Sequence, residues 1–158
     1  MIRKATIKDV KPVHALLQEY GRQGELLARP LSELYDHVRD FLLYVDEKEN
    51  RVLGCCALQF CWEDLAEIRS LAVHPDHLGK RIGSKLTLAA LTEAGVFNIK
   101  KVFTLTYRTE FFKKLGFSRI DRADLPLKIW GDCILCIKYP DCDEIAMMKE
   151  MDDEIRCR

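Results

Sequence analysis

The sequence predicts a single mixed α/β domain, and three observations carry that prediction. The chain has 158 residues, which fits one domain of ordinary size. Apolar residues make up 48% and charged residues 32%, a composition typical of globular proteins. Strand-like and helical segments follow one another in the order β-α-α-β-β-β-α-β-α-β, so helices surround an antiparallel meander. We expect a mixed, mostly antiparallel central sheet flanked by helices, in one domain over 1–158.

The first half of the chain predicts a strand, two helices and a hairpin. RKATIKD is a short strand, and Thr6 or Asp9 can cap the helix that follows it. Ser32 fits the N-cap of a second helix, which carries an apolar stripe. The segment 41–60 has two β-prone runs around a polar turn and predicts a hairpin.

The second half predicts two more strand–helix units. The strand AEIRSLAVHP leads through a glycine-containing loop into a helix that Gly95 closes as a C-cap. The strand KKVFTLTY, the short helix TEFFKKLG and the strand FSRI follow. We expect the core of the domain to cover about 1–122, with a strand region, a cysteine cluster and a tail in 123–158. The tail EIAMMKEMDDEI has helical spacing.

The charge balance excludes some classes of partner. The 25 basic and 25 acidic residues cancel, whereas a nucleic-acid coat or a polybasic membrane anchor needs a large positive excess. No stretch approaches the ~20 apolar residues of a membrane span, and MIRKATIKDV lacks the apolar core of a signal peptide. We expect a cytoplasmic protein whose seven cysteines are reduced and which binds neither nucleic acid nor membrane.

The cancelled charge hides a strong local excess. Residues 74–122 hold ten basic against four acidic side chains, a local charge of +6, whereas 141–158 hold three against seven. The positive region contains the loop DHLGKRIGS, which runs into a helix N-terminus, where free N–H groups and the helix dipole favour phosphate. Gly79 and Gly83 allow close backbone approach, and Lys80 and Arg81 add charge. The alternative is a plain strand–turn–helix connection.

The stretches LAVHPDHLGKRIGSKL and FFKKLGF resemble the acetyl-CoA-binding region and second helix of the GNAT superfamily of N-acetyltransferases. The superfamily motif is Gln/Arg-x-x-Gly-x-Gly/Ala. Its first position falls on Leu78, its first glycine on Arg81 and its second on Gly83, so only the last position matches. The resemblance covers about 2–120. It implies the GNAT fold and acetyl-CoA as co-substrate.

Five patches are similar to the N-acetylglutamate synthases in particular: GELLARPLSEL, LGCCALQF, AEIRSLAVHP, LTYRTEFFKKLGF and LPLKIWGDCILC. This similarity implies a short, stand-alone amino-acid N-acetyltransferase that acetylates the α-amine of L-glutamate, the first step of arginine biosynthesis. Two alternatives remain open. One is acetylation of another small amine or a protein N-terminus, and the other is a non-catalytic acyl-CoA-binding module.

The resemblance also assigns parts of the chain to acetyl-CoA. It implies that the backbone of Leu71, Ala72 and Val73 aligns the thioester. The pyrophosphate would lie on the loop residues Gly79, Lys80, Arg81, Ile82, Gly83 and Ser84.

Two residues are candidates for proton transfer. Glu67 occupies a position where the family often places a carboxylate that relays a proton, although it could equally be a half-exposed strand residue paired with a basic side chain. Many members carry a general-acid tyrosine where this chain has Phe112. Tyr107, a few residues upstream, is therefore the candidate acid, or else a tyrosine at the edge of the core.

Acceptor binding is assigned to three further positions. A glutamate acceptor has two carboxylates, which Arg binds bidentately. The resemblance assigns Arg29 to this role, Arg108 is a second candidate and Lys128 a more distant third. The backbone around Cys55, on the strand beside the acceptor pocket, is a further substrate contact, while its thiol is expected to be a small core group.

The cluster Cys133-x-x-Cys136-x5-Cys142 has spacing found in thiolate metal sites. A redox pair and ordinary strand cysteines are the alternatives. The tail could pack on the domain or on a second subunit, which leaves a homodimer open.

Overall fold

The computed structural model describes residues 1–22, 29–125 and 144–151. In that part of the chain a seven-stranded sheet has the order β1-β2-β3-β4-β5-β7-β6. The strands are β1 (Ile2–Lys4), β2 (Phe41–Asp46), β3 (Arg51–Trp62), β4 (Leu65–Val73), β5 (Lys101–Thr106), β6 (Ser118–Arg119) and β7 (Ile145–Glu150). The α-helices are α1 (Val10–Arg22), α2 (Leu31–Asp36), α3 (Ile82–Val96) and α4 (Thr109–Lys114).

The predicted fold class is confirmed. Every pair of neighbouring strands is antiparallel except β4 and β5, which are parallel. The helices within the described ranges are too short or too polar to cross a membrane.

Both faces of the sheet are buried. Side chains that neighbour each other along a strand point to opposite faces, so Cys56 joins the cluster under α3 while Cys55 joins the cluster under α1. On the first face α3 packs through Leu86, and on the second α1 packs through Leu17, and both side chains are fully buried. The strands therefore form the middle layer of three, with helices on either side.

The C-terminal helix expected from spacing is wrong, because residues 145–150 form β7. This strand pairs with β5 on one side and with β6 on the other. Ala146 and Met147 are consecutive and both buried, in different clusters. A strand buried on both faces lacks the polar–apolar alternation that would distinguish it from a helix.

Two expected helix caps are also wrong. Gly95 lies inside α3, and the left-handed residue past its end is Asn98, with φ 59°. The N–H of Asn98 donates to the Gly95 carbonyl at 3.0 Å, and the N–H of Ile99 donates to the Ala94 carbonyl at 3.0 Å, which is a Schellman arrangement. Ser32 lies within α2, whose N-cap is Pro30, because the chain turns into the helix two residues earlier than expected.

The N-terminal cap is held by an ion pair. The Asp9 carboxylate accepts hydrogen bonds from the Thr6 N–H at 2.7 Å and from the Arg3 guanidinium at 2.8 and 2.9 Å. The Arg3 hydrogen bond is the largest cause that lowers the pKa of Asp9 to about 2, from an ordinary 3.8. Thr6 is therefore the N-cap, as one of the two sequence alternatives expected, and Asp9, three residues later, completes a capping box with it.

This lowered pKa predicts how stability depends on pH. Because the unfolded Asp9 binds a proton near pH 4 and the folded one near pH 2, its contribution is complete above pH 4 and is lost as the pH falls towards 2. We expect Asp9→Asn to lower the free energy of unfolding by ~2 kcal/mol at pH 7, with the difference shrinking below pH 4. Urea unfolding at several pH values measures it. Arg3→Met should show the same pH dependence, and a deficit that stays constant down to pH 2 would contradict the ion pair.

Candidate active site

The candidate site lies where β4 and β5 stop pairing. Their parallel register covers only three pairs and ends at Glu67 and Phe103. The Thr104 hydroxyl then donates to the Ile68 carbonyl at 3.0 Å. Beyond this point a cavity of about 380 Å³ opens beside the two strands. The wall of the cavity therefore includes the stretch of β4 that lies beyond its described pairs with β5.

The structure brings most of the sequence-predicted site residues to this cavity. The residues predicted for catalysis, thioester alignment and carboxylate binding that line it are Arg29, Glu67, Leu71, Ala72, Val73, Tyr107 and Arg108. Of the expected phosphate loop only Gly83 is in the lining, while Gly79, Lys80, Arg81, Ile82 and Ser84, and also Cys55, are not. The cavity thus collects the residues expected to meet the acetyl group and the acceptor, and it reaches the expected phosphate loop at Gly83.

Arg29 is a buried cation in the cavity wall, with only 6% of its surface exposed. Its Nε donates to the Glu33 carboxylate at 3.1 Å, its Nη1 donates to the Ser70 hydroxyl at 3.2 Å, and its guanidinium lies 5.6 Å from the centre of the Phe41 ring. Nη2 lies 2.9 Å from the same Glu33 oxygen without hydrogen-bond geometry, and it has no hydrogen-bond partner among the described residues.

Burial lowers the pKa of the Arg29 guanidinium, and the positive charge of Arg69 lowers it further. A guanidinium has five N–H donors and binds carboxylates through two parallel hydrogen bonds. The arrangement therefore combines a buried positive charge, a neighbouring cation and a spare donor, which together favour an anionic ligand.

Glu67 is more buried than a half-exposed strand residue, with 8% of its surface exposed. It occupies the last paired position of β4 before the cavity opens. Its Oε1 lies 3.8 Å from the Nε of Arg69, and Arg69 is itself held by the Gln59 side chain at 2.9 Å. Glu67 thus places a carboxylate at the closed end of the cavity, beside a basic residue.

Tyr107 and Arg108 enter the cavity between β5 and α4. Tyr107 is 41% exposed, so it is at the edge rather than in the core. Arg108 is the N-cap of α4, and its N–H donates to the Thr106 hydroxyl at 2.8 Å. Phe111 lines the cavity and meets the buried Phe112 edge to face, with ring centres 5.0 Å apart. The Phe112 position is therefore apolar packing, and Tyr107 supplies the phenolic hydroxyl among the described residues of the lining.

The loop before α3, predicted to hold phosphate, has an arginine where the family motif has its first glycine. Arg81 is the N-cap of α3 and has φ 61°, a left-handed conformation that favours glycine. Gly79 also has a positive φ, of 84°. The first turn of α3 contains no acidic residue, and no side chain caps it by a hydrogen bond in the part of the chain that the structure describes. Its free N–H groups are available to an anion.

Cys55 and Cys56 are buried thiols behind the site. Burial raises the pKa of Cys55 to about 12 and raises the pKa of Cys56 as well. The Cys55 thiol donates to the Ser70 carbonyl at 3.3 Å. Neither thiol is a nucleophile at neutral pH, because the thiolate form is not populated. Cys55 lies behind the cavity wall, in contact with Ser70 and paired with Ala72, which both line it.

Sequence reasoning missed some residues of the wall. Arg69, Ser70, Thr104 and Thr106 line the cavity, and of these only Arg69 had a visible signal, because it adjoins Glu67 in a strand. Lys128, Cys133, Cys136 and Cys142 lie outside the described residues. Within the ranges described, no three His, Cys, Asp or Glu side chains are grouped to hold a metal.

Comparison with known proteins decides the family. The Acetyltransferase (GNAT) family model matches residues 11–117. The chain belongs to this family. The expected GNAT fold and N-acetyltransferase activity are thereby confirmed, and the family uses acetyl-CoA as acetyl donor.

Two proteins of similar sequence are also acetyltransferases by name. An N-acetyltransferase of Chlorobaculum tepidum, itself uncharacterised, is 39% identical over 153 residues, which are 95% of this chain and 96% of that protein. An amino-acid acetyltransferase of Mycobacterium tuberculosis is 33% identical over 142 residues, covering 88% of this chain and 79% of that one.

A solved structure shows the same fold in a larger protein. The N-acetylglutamate synthase of Neisseria gonorrhoeae, complexed with coenzyme A and N-acetyl-glutamate, superposes with a TM-score of 0.86 and is 26% identical. The match covers 96% of this chain and 35% of that one, so this chain corresponds to about a third of the synthase.

Proposed function

We propose that the protein transfers the acetyl group of acetyl-CoA to the α-amine of L-glutamate. The observation that carries this proposal is the buried Arg29, with a spare N–H donor in the wall of the cavity. The name of the M. tuberculosis relative supports an amino-acid acceptor, and the ligands of the Neisseria synthase support glutamate. The reaction would be the first step of arginine biosynthesis.

Acetyl-CoA would bind along the loop and the end of β4. The free N–H groups at the N-terminus of α3 and the charges of Lys80 and Arg81 suit its pyrophosphate. The backbone of Leu71, Ala72 and Val73 lies beyond the last β4–β5 pair and lines the cavity, so this segment would align the thioester. Ile82 is buried, and its backbone would be the part that faces the cofactor.

Glutamate would bind by its carboxylates on the opposite side of the cavity. Arg29 supplies the spare donor, and Arg108, at the start of α4, supplies a second guanidinium in the same wall. Two anionic groups on one small substrate need two cationic partners, which a monoamine or a basic amino acid would not match.

The chemistry would be direct transfer in a ternary complex. The amine nitrogen attacks the thioester carbonyl carbon, the carbon–sulfur bond breaks, and the electrons of that bond leave with the sulfur. Glu67, at the closed end of the cavity, would take the proton of the amine through water, and Tyr107 would protonate the departing thiolate. The buried thiols of Cys55 and Cys56 do not fit an acyl-enzyme route, since their pKa values are raised.

The acceptor is tested by measuring thiol release from acetyl-CoA with a panel of amines. The panel contains L-glutamate, L-glutamine, L-aspartate, L-lysine, glycine and a short peptide. We expect the highest kcat/KM with L-glutamate, at least about tenfold above L-glutamine, because a neutral amide cannot make the charge-assisted pair. Faster turnover of a neutral or basic amine than of glutamate would contradict the proposal.

Substitution of Arg29 should affect one substrate only. We expect Arg29→Ala to raise the KM for glutamate about 10- to 100-fold and to leave the KM for acetyl-CoA within twofold, because a charge-assisted hydrogen bond to the acceptor is lost. Arg29→Lys should rescue only part of the loss, since an ammonium lacks the planar fork. Steady-state kinetics with each substrate varied measure both values.

The matched control is Arg39→Ala, which removes an exposed arginine that is not in the cavity lining. It should leave both KM values unchanged. Equal increases in both KM values for Arg29→Ala would remove Arg29 from the acceptor site.

Glu67 is tested by a substitution that keeps its shape. We expect Glu67→Gln to lower kcat about 100-fold with little change in either KM, because an amide cannot accept the amine proton. Its pH–rate profile should lose the ionisation that the parent enzyme shows on the acidic side. Glu110→Gln, in α4, removes an exposed carboxylate outside the lining and serves as control. A kcat within threefold of the parent would exclude Glu67 as the relay.

A further inference from the structure

Ser70 has a backbone conformation that is unusual for its place in the fold. It has φ 54° in the middle of β4. The other described non-glycine residues with positive φ are Asn50 in the β2–β3 turn, Arg81 at a helix N-cap and Asn98 after a helix. A left-handed conformation costs a non-glycine residue on the order of 1 kcal/mol, and serine is not among the residues that tolerate it best.

The conformation belongs to a β-bulge. Cys55 pairs with Ala72 and Ala57 pairs with Arg69, so two residues of β4 oppose one residue of β3. Those two residues are Ser70 and Leu71. A bulge bends its strand and redirects its side chains. It lies three residues past the last β4–β5 pair, within the stretch of β4 that lines the cavity.

Two hydrogen bonds hold Ser70 in this conformation. Its hydroxyl accepts from Nη1 of Arg29 at 3.2 Å, and its carbonyl accepts from the Cys55 thiol at 3.3 Å. The first bond crosses from β4 to Arg29, which precedes the N-cap of α2 and lies 41 positions earlier in the chain. A strained residue persists only where its surroundings compensate for the strain, and such residues concentrate at functional sites.

Ser70 is thus the direct link between two parts of the proposed site. Its side chain contacts the guanidinium proposed to bind the acceptor carboxylate. Its backbone leads directly into Leu71, the first of the residues proposed to align the thioester. Ser70 is therefore bonded to one part of the site through the chain and to the other through a hydrogen bond.

We propose that Ser70 is a positioning residue that fixes the Arg29 guanidinium relative to the thioester-aligning segment of β4. The proposal rests on the proposed function, because it takes Arg29 to be the acceptor-carboxylate ligand. The hydroxyl sets the orientation of the guanidinium, and the left-handed backbone sets the position of the hydroxyl.

Two substitutions separate these contributions. Ser70→Ala and Ser70→Gly both remove the hydroxyl, but only glycine removes the cost of the positive φ. We expect both variants to raise the KM for glutamate about five- to tenfold, with kcat and the KM for acetyl-CoA within twofold. We also expect Ser70→Gly to melt at a higher temperature than Ser70→Ala. A role confined to folding would instead make the less stable variant also the poorer enzyme.

A double-substitution cycle tests whether Ser70 acts through Arg29. In the Arg29→Ala background, Ser70→Ala should have no further effect on the KM for glutamate, because the guanidinium that the hydroxyl orients is gone. Multiplicative effects on that KM in the double variant would overturn the proposal. So would equal increases in the KM values of both substrates in Ser70→Ala alone.

The melting temperatures of the same four proteins distinguish this proposal from the acceptor assignment. We expect Ser70→Ala to lower the melting temperature by about 3 °C in the parent and by much less in the Arg29→Ala background. An equal loss in both backgrounds would overturn the Ser70–Arg29 contact whatever the acceptor is. If the coupling is present but another amine is the best acceptor, the glutamate assignment fails, and the kinetic cycle is measured with that amine.

Discussion

The architecture of the site depends on an interrupted hydrogen-bond ladder. β4 and β5 pair over three positions and then separate, while each continues to pair with its other neighbour: β4 with β3 through Val73, and β5 with β7 through Thr106. Neighbouring strands otherwise lie about 4.8 Å apart, which leaves no space for a ligand. A cavity inside a continuous sheet is therefore possible only at such a fork. At the fork the facing edges of β4 and β5 no longer pair with each other among the described residues, and such edges are where a ligand can meet strand backbone.

The second constraint is the burial of charge around that fork. A guanidinium taken out of water loses hydration that its partners must replace. Arg29 recovers part of it from Glu33, Ser70 and the face of Phe41. Burial and the charge of Arg69 lower the pKa of the guanidinium, whereas Glu33 and Asp40 oppose that change. An incoming carboxylate would restore part of the lost hydration energy. Because the guanidinium is already ordered and dehydrated in the folded protein, binding would not have to bear that part of the free-energy cost.

The sequence predicts the fold better than it predicts the ends of its elements. Periodicity identifies α1 because it has one strongly apolar face, and turn signals at their ends identify α3 and the β2–β3–β4 meander. Gly95 and Ser32 fail as caps because packing extends α3 beyond the glycine and Pro30 starts α2 earlier. The prediction for residues 145–150 is wrong because the strands that pair with β7 are distant in the chain. A local stretch of sequence contains no information about them.

For the site, the resemblance identified positions that periodicity alone does not. Glu67, Arg29 and the segment Leu71–Val73 were predicted from it and lie in the cavity wall. Ser70 was not predicted, because strand alternation assumes a regular ladder and a bulge formed by non-glycine residues has no sequence signature. The bulge depends on contacts with Cys55 and Arg29 that only the folded chain brings together.

Arg81, at the other end of the expected acetyl-CoA path, is like Ser70 a non-glycine residue with a positive φ. A glycine would adopt its φ of 61° at little cost, whereas an arginine pays on the order of 1 kcal/mol. An arginine also gives the unfolded chain less conformational freedom than a glycine would, so less is lost on folding. It places one more positive charge at the N-terminus of α3. Residues 74–122 carry a charge of +6, although the whole chain is neutral. Arginine in place of the motif's glycine therefore costs backbone strain at this position. It also adds to the positive charge that would attract a polyphosphate.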